Sequence, residues 1–250
     1  MLQHMGRKMD ITKRKELLLK IQGWFVEKIV ASHVQNTEKL KNLKEFDINP
    51  FLVAYLAKFL HGEATPENIA KALVYPRALG TSITTSFGMQ IQKFTNDVLK
   101  SSFGSMIPGM DIEFTDALDG EKKYCQMKLG PKTINHDDIE TIHGKFNSGK
   151  KIAKQNGLRV HDGDFVIAVI FGEKSQVNSF YKTLETEHHY SLFVGAEFWH
   201  RLTGDENFYS LMVEACSESA KNYKGTELLQ NVIEEISKDP EIVRLSELAE

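Results

Sequence analysis

The chain has 250 residues, a net charge of −3 and 41% hydrophobic residues, an ordinary globular composition long enough to bury a substantial core. Its longest apolar run, Phe165 to Phe171, falls far short of the roughly 18 residues that a membrane helix needs, so no membrane span is expected. The opening MLQHMGRKMD has no apolar signal core, and Cys125 and Cys216 are too few and too far apart for a disulfide framework or a zinc cluster, so a reducing cytoplasm is the expected setting.

Residues 10–34 read as a long amphipathic helix, because Leu18, Ile21, Phe25 and Ile29 recur at helical spacing beside Trp24. Thr37 to Asp47 is charged and reads as loop or short helix. Asn49-Pro50 opens a helix through Leu60, with proline at its first position, and His61-Gly62 ends it. Thr65-Pro66-Glu67 opens another to about Val74, and Pro76 is expected to break it. Ala78 to Gly88, ALGTSITTSFG, reads as a polar loop whose small hydroxyls suit close approach to phosphate or to a partner subunit. Met89 to Val98 is helical again, and Ser101 to Met110 is a Gly/Pro/Ser connection.

The stretch from Gly109 to Asp138 carries the chemistry. Two alternating runs, Asp111-Ile-Glu-Phe114 and Tyr124-Cys-Gln-Met-Lys128, flank Asp119-Gly120, a two-residue hairpin signal. A type I′ turn there sets Asp111 opposite Lys128 and Glu113 opposite Gln126, so one face carries all four. Opposite charges across strands are an ordinary structural device, worth roughly 0.2–1 kcal/mol. A carboxylate beside a lysine also fits a Mg²⁺ site acting on a phosphodiester, because Mg²⁺ takes few protein oxygens and the ammonium stabilises developing charge.

Gly130-Pro131 turns the chain, and Thr133 or Asn135 can cap a helix from near Asp137 to about Gln155. Ile139, Ile142 and Phe146 form one face of it, and His143, Lys145, Lys150, Lys151 and Lys154 form the other; Asn147-Ser148-Gly149 marks a bend or break. Phe165–Phe171 reads as a buried central strand. Strand, helix and strand then make a crossover, so the second hairpin strand and this one should be parallel. Tyr190 to Val194 is a last strand, Gly195 opens a helix to Leu202, and acidic amphipathic helices follow. Lys122 to Arg159 carries nine basic residues against three acidic, a net of +6, whereas Asp205 to Glu250 has four against eleven, a net of −7. The basic excess lies in and just after the hairpin, where a phosphate backbone would pass.

The Asp111…Gln126-Met127-Lys128 hairpin resembles the PD-(D/E)XK nuclease motif. Its continuation, Lys128-Leu-Gly-Pro-Lys-Thr-Ile-Asn135, is similar to the type II restriction endonucleases that cut GGNCC-like sites. Ile48-Asn-Pro-Phe51, Pro76-Arg-Ala-Leu-Gly-Thr-Ser82 and Gly195-Ala-Glu-Phe-Trp199 fit the same group in the same order. The resemblance implies an α/β fold with a restriction-endonuclease-like mixed sheet flanked by helices. It implies a single nuclease domain over 1–250: helices to 100 for dimerisation and DNA contacts, a catalytic core over 101–200, and C-terminal helices over 201–250.

The implied activity is Mg²⁺-dependent hydrolysis of double-stranded DNA at a short palindromic-type sequence, with Mn²⁺ as a substitute. A homodimer and a cognate DNA methyltransferase are the implied partners. Asp111 would ligate the metal, Lys128 would position the water and stabilise the transition state, and Gln126 and Glu113 would complete the site. Gln126 stands where the family pattern has an acid, so Glu113, or else Asp137, Asp138 or Glu140, is the candidate second carboxylate. Lys132, Thr133, Asn135, Lys145, Lys150, Lys151 and Lys154, with Thr81 and Ser82, are the DNA-binding candidates. Two other readings fit the same residues: a nuclease-like protein that holds DNA without cutting, and a repair or branch-resolving nuclease of the same superfamily. No phosphate-binding Gly-x-x-x-x-Gly-Lys loop and no Gly-x-Ser-x-Gly elbow occurs. His188-His189 would diverge on a strand, and no second histidine falls at helical spacing from His143.

Overall fold

The computed structural model describes residues 9–249, with the side chains of 91 and 92 outside that description. Two compact units divide the chain: one holds the described part of Met1–Trp24 with Ile91–Ala215, the other Phe25–Gln90 with the described part of Cys216–Glu250. No helix among the described residues is long and apolar enough to cross a membrane.

The first unit is built on one mixed sheet of four strands, β1 (Ile112–Thr115), β2 (Lys122–Lys128), β3 (Phe165–Val169) and β4 (Ser191–Val194), in that order across the sheet. β1 and β2 are antiparallel; β2, β3 and β4 are parallel. β3 is buried at every position, as its unbroken apolar run requires of a strand covered on both faces. On one face Tyr124, Phe165, Ile167 and Val169 pack against Ile139, Ile142 and Phe146 of the helix His136–Gln155 and Tyr181 and Leu184 of the helix Ser179–Thr186. On the other face an aromatic layer forms: Phe114 meets Phe198 edge-on, and Trp199 touches both Phe94 and Phe208. The Trp199 indole N–H is satisfied by the Ile170 carbonyl at 2.9 Å.

The parallel pairing of β2 and β3 through a long helical crossover is as the sequence predicts. Two local readings differ. The helix His136–Gln155 runs unbroken through Asn147-Ser148-Gly149. Gly149 there allows close approach: a Cβ would sit 3.0 Å from the Phe165 ring and 3.4 Å from Ile107. The hairpin register also differs. Ile112 faces Cys125 and Glu113 faces Tyr124, so the pairing is displaced by two residues and the loop is longer than Asp119-Gly120 alone. The cause is Asp116, whose backbone N–H bonds the Glu121 carbonyl at 2.9 Å. Its fully buried carboxylate takes the Arg201 guanidinium at 2.7 Å and the Leu118 N–H at 2.8 Å. Closing the loop at Asp116 satisfies a buried charge, which outweighs the preference for a two-residue turn.

The second unit is helical. Pro50–His61, Pro66–Pro76, Gly225–Ser237 and Pro240–Leu248 bury Val53, Ala57, Ile69, Val74, Val232, Ile236, Ile242 and Leu245 in one core. The Asn49 side chain caps the first of these helices by accepting the Phe51 and Leu52 N–H groups, and Gly62 ends it at φ +81°. The expected polar loop at Ala78–Gly88 is instead helix. Pro76 does not stop the chain, which widens into the π-helical turns Arg77–Ser82 and continues as Ile83–Phe94. A wider turn absorbs the missing proline N–H and ring clash. Burial of Ala78 and Ser86, and an Asn36 hydrogen bond to the Ser86 hydroxyl, hold the segment helical despite its glycines.

Candidate active site

Asp111 stands at the entry to β1. Its N–H bonds the Cys125 carbonyl at 2.8 Å, and its Oδ2 accepts the Met127 N–H at 2.7 Å. The carboxylate thus substitutes for a strand carbonyl at the end of the ladder. Lys128 ends β2 on the same side of the sheet. Asp111 and Lys128 both line a polar cavity of about 280 Å³, with Thr95, Asn96, Met127, Leu129, Thr133 and Ile170 around it. The cavity lies where β2 and β3 end, the carboxyl edge at which parallel sheets carry ligands.

Lys128 does not pair with Asp111. Its Nζ bonds Asp138 Oδ1 at 2.8 Å. The other Asp138 oxygen accepts the Asn135 N–H, while Asn135 Oδ1 accepts the Asp138 N–H, a reciprocal cap on the helix His136–Gln155. Partial burial pushes the Asp138 carboxyl up, but Lys128 and the Asn135 N–H together hold it below its ordinary value.

Gln126 is buried. Its Nε2 donates to the Gly109 carbonyl, and its Oε1 accepts from Lys145 Nζ at 3.1 Å. Glu113 lies on the same side but is consumed elsewhere. Its Oε1 accepts the Ser105 hydroxyl and the Met106 and Ile107 N–H groups at 2.7–2.8 Å, and its Oε2 pairs with Lys122 at 2.7 Å. Burial raises the Glu113 carboxyl, yet Lys122 and these donors hold it below its usual range.

The DNA-binding candidates separate into groups. Thr133 bonds the Gly130 carbonyl and the Tyr181 hydroxyl, Asn135 is the helix cap, and Lys145 meets Gln126. Lys150 pairs with Asp162 and lies 4.9 Å over the Tyr190 ring. Lys132, Lys151 and Lys154 are exposed. Thr81 and Ser82 lie in the second unit, lining a separate cavity of about 240 Å³ with Asn36, Lys39 and Arg77. Asp137 and Glu140 are exposed at the start of the helix that carries Asp138.

Sequence spacing does not single out Thr95, Asn96 or the Lys145–Gln126 contact. Thr95 and Asn96 belong to a π-helical segment, Thr95–Lys100, and such turns recur at functional sites. His143 also gains company that helical spacing hides. Its ring nitrogens meet the Tyr190 hydroxyl and Asn147, and its ring centroid lies 4.1 Å from that of His188. Burial, then the His188 and Lys150 charges, hold its pKa below the ordinary value.

The family model of the type II restriction endonuclease EcoO109I matches residues 20–224. The chain belongs to that family. It is a type II site-specific deoxyribonuclease, and its substrate is DNA. No curated protein matches the chain. The matched span contains the hairpin, its Gly-Pro continuation and the three further fragments read from the sequence. Members of the family use a divalent metal. The residues fit one: the cavity offers the Asp111 carboxylate, a hard oxygen donor, and room for waters and a phosphate, the sparse coordination that Mg²⁺ favours. No group of three or more His, Cys, Asp or Glu side chains forms a closed metal cage among the described residues.

Proposed function

We propose that this enzyme hydrolyses both strands of duplex DNA with Mg²⁺, at a short palindromic-type sequence related to GGNCC. It would work in the cytoplasm as a homodimer beside a cognate methyltransferase. The single observation that carries the reading is that Asp111 and Lys128 line one polar cavity at the carboxyl edge of the sheet.

Asp111 would hold the metal through Oδ1, its Oδ2 being anchored on the Met127 N–H. A bound cation supplies positive charge to the scissile phosphate and its attacking water. The Lys128 ammonium, steadied by Asp138, faces the same space and would neutralise charge on the phosphate oxygens while orienting that water. Gln126 would present a neutral carbonyl in place of the usual acid, and Lys145 beside it adds a second ammonium toward the phosphate. Glu113 supports this arrangement from outside the cavity. It clamps Ser105–Ile107, just ahead of the Gly109 carbonyl that orients Gln126. Exposed Lys132, Lys151 and Lys154 would hold backbone phosphates, so affinity falls steeply with salt.

The test is incubation of plasmid DNA with purified enzyme and Mg²⁺ or Mn²⁺, followed by sequencing of the ends. Discrete fragments that disappear with Lys128→Ala support the proposal. Discrete fragments that persist in Lys128→Ala, or cutting that needs no divalent metal, would remove this site assignment.

A further inference from the structure

The cavity that Asp111 and Lys128 share has a second polar wall, Thr95 and Asn96, which comes from the helical segment ahead of β1 and not from the hairpin. Most polar side chains around the site are already spent. Lys128 is paired with Asp138, Thr133 bonds the Gly130 carbonyl and the Tyr181 hydroxyl, and one Asp111 oxygen holds the Met127 N–H. Gln126, where the family pattern has its second acid, gives its amide nitrogen to the Gly109 carbonyl and its oxygen to the Lys145 ammonium. An oxygen that already faces an ammonium is a poor donor to a cation. Asn96 differs: it is exposed, and its amide has no hydrogen-bond partner among the described residues. Its neighbours fix its place. Phe94 packs edge-on against Trp24 and Trp199, the Asp97 carboxylate accepts the Trp24 indole N–H at 3.3 Å, and Val98 and Leu99 are buried. Those contacts leave Thr95 and Asn96 to line the cavity.

We propose that Asn96 is the neutral oxygen donor that completes the divalent-cation site begun by Asp111. The inference rests on the reading of Asp111 as a metal ligand and supplies the partner which that reading lacks. Small divalent cations favour hard oxygens, and an asparagine carbonyl is one. The cavity, about 280 Å³, has room for only a handful of waters, so a hydrated cation resting on Asp111 also reaches the Thr95–Asn96 wall. An amide leaves the site one negative charge short of a carboxylate pair. A cation held by one carboxylate and one amide binds weakly, and the DNA phosphate brings the missing charge. The pairing of Asp111 with Asn96 therefore ties loading of the metal to the presence of DNA.

The test reads bound cation and not cleavage. Mn²⁺ is added to the whole chain without DNA, and the free ion is followed by electron paramagnetic resonance. The native chain should bind it weakly, and Mg²⁺ should displace it. Asn96→Ala should weaken binding by about ten-fold. Asn96→Asp, which adds the absent charge, should tighten it by about ten-fold or more. Opposite changes in two variants of one exposed residue exclude a shared folding defect, and circular dichroism should match the native chain in both. Filter binding to duplex DNA without metal should be unchanged in Asn96→Ala. Unaltered Mn²⁺ affinity in both variants overturns the inference. A loss of metal-free DNA affinity in Asn96→Ala with Mn²⁺ binding intact overturns it too, and would make Asn96 a DNA contact. Asp111→Asn separates the two readings. If it abolishes Mn²⁺ uptake while the Asn96 variants leave uptake alone, this inference fails by itself. Uptake that survives Asp111→Asn, or none by the native chain, removes the reading of Asp111 as well.

Discussion

The two ends of the β1–β2 hairpin carry an aspartate each, and the two are used in opposite ways. At the closed end, Asp116 is fully buried and saturated by Arg201, the Leu118 N–H and the backbone of the loop. At the open end, Asp111 takes the Met127 N–H on one oxygen and turns toward a polar cavity that Lys128 shares. Glu113, between them on β1, sides with the closed end, for both its oxygens hold protein groups. A carboxylate spent on the fold has its partners counted out; the carboxylate we propose for the metal has one oxygen anchored and one facing space. Lys128 and Asp138 extend the contrast, since that pair fixes an ammonium at the cavity instead of burying it.

This contrast can be broken by substitution. The largest effect should come at the open end. Asp111→Asn or Lys128→Ala should slow cleavage by about a hundred- to a thousand-fold with little change in melting temperature. Gel assays of plasmid cleavage beside a thermal melt would show it, and an equal loss of stability would mean that Asp111 is structural after all. At the closed end the signs exchange. Arg201→Ala leaves the Asp116 carboxylate buried without its cation and should cost about 3–5 kcal/mol of stability in urea unfolding. The rate per folded molecule should hold.

Glu113 sharpens the comparison through pH. Its carboxyl lies below its unfolded value of 4.5, so its share of stability is complete above that value and is lost as pH falls through the folded one. Glu113→Gln should therefore lower stability at neutral pH and flatten the acid limb of a denaturation curve taken from pH 6 downward. An unchanged acid limb would mean that its clamp on Ser105–Ile107 contributes little. The smallest effect belongs to the exposed lysines. Lys151→Ala and Lys154→Ala should each reduce the slope of log affinity against log salt by about one, measured by filter binding to duplex DNA without metal.

Local chemistry was readable where the deciding partners are near in sequence. Asn49, Pro50 and Gly62 bracket their helix, and the apolar run at Phe165 marks the central strand. The helical crossover from β2 to β3 and their parallel pairing follow from element order alone. Asp111 and Lys128 stood out because both lie within one hairpin. What stayed hidden depends on distant partners. Asp119-Gly120 is a strong turn signal, but Arg201, 85 residues away from Asp116, decides where the loop closes. Ala78–Gly88 has the composition of a loop, but burial against the helical core makes it helix. Thr95 and Asn96 look like surface positions until the fold brings their helix to the cavity.

The two-residue displacement of the hairpin has a consequence for how its tip can change. Side chains alternate across a sheet, so slippage by an even number returns each one to its own side. A pairing displaced by two residues, wherever the tip then closes, keeps the Asp111 carboxylate and the Lys128 ammonium on the same side of the sheet. A displacement by one would turn Asp111 toward the packed rings of Phe198 and Trp199 and strand a charge there. The tip can therefore change only in ways that hold the strands in their pairing or move it by an even step.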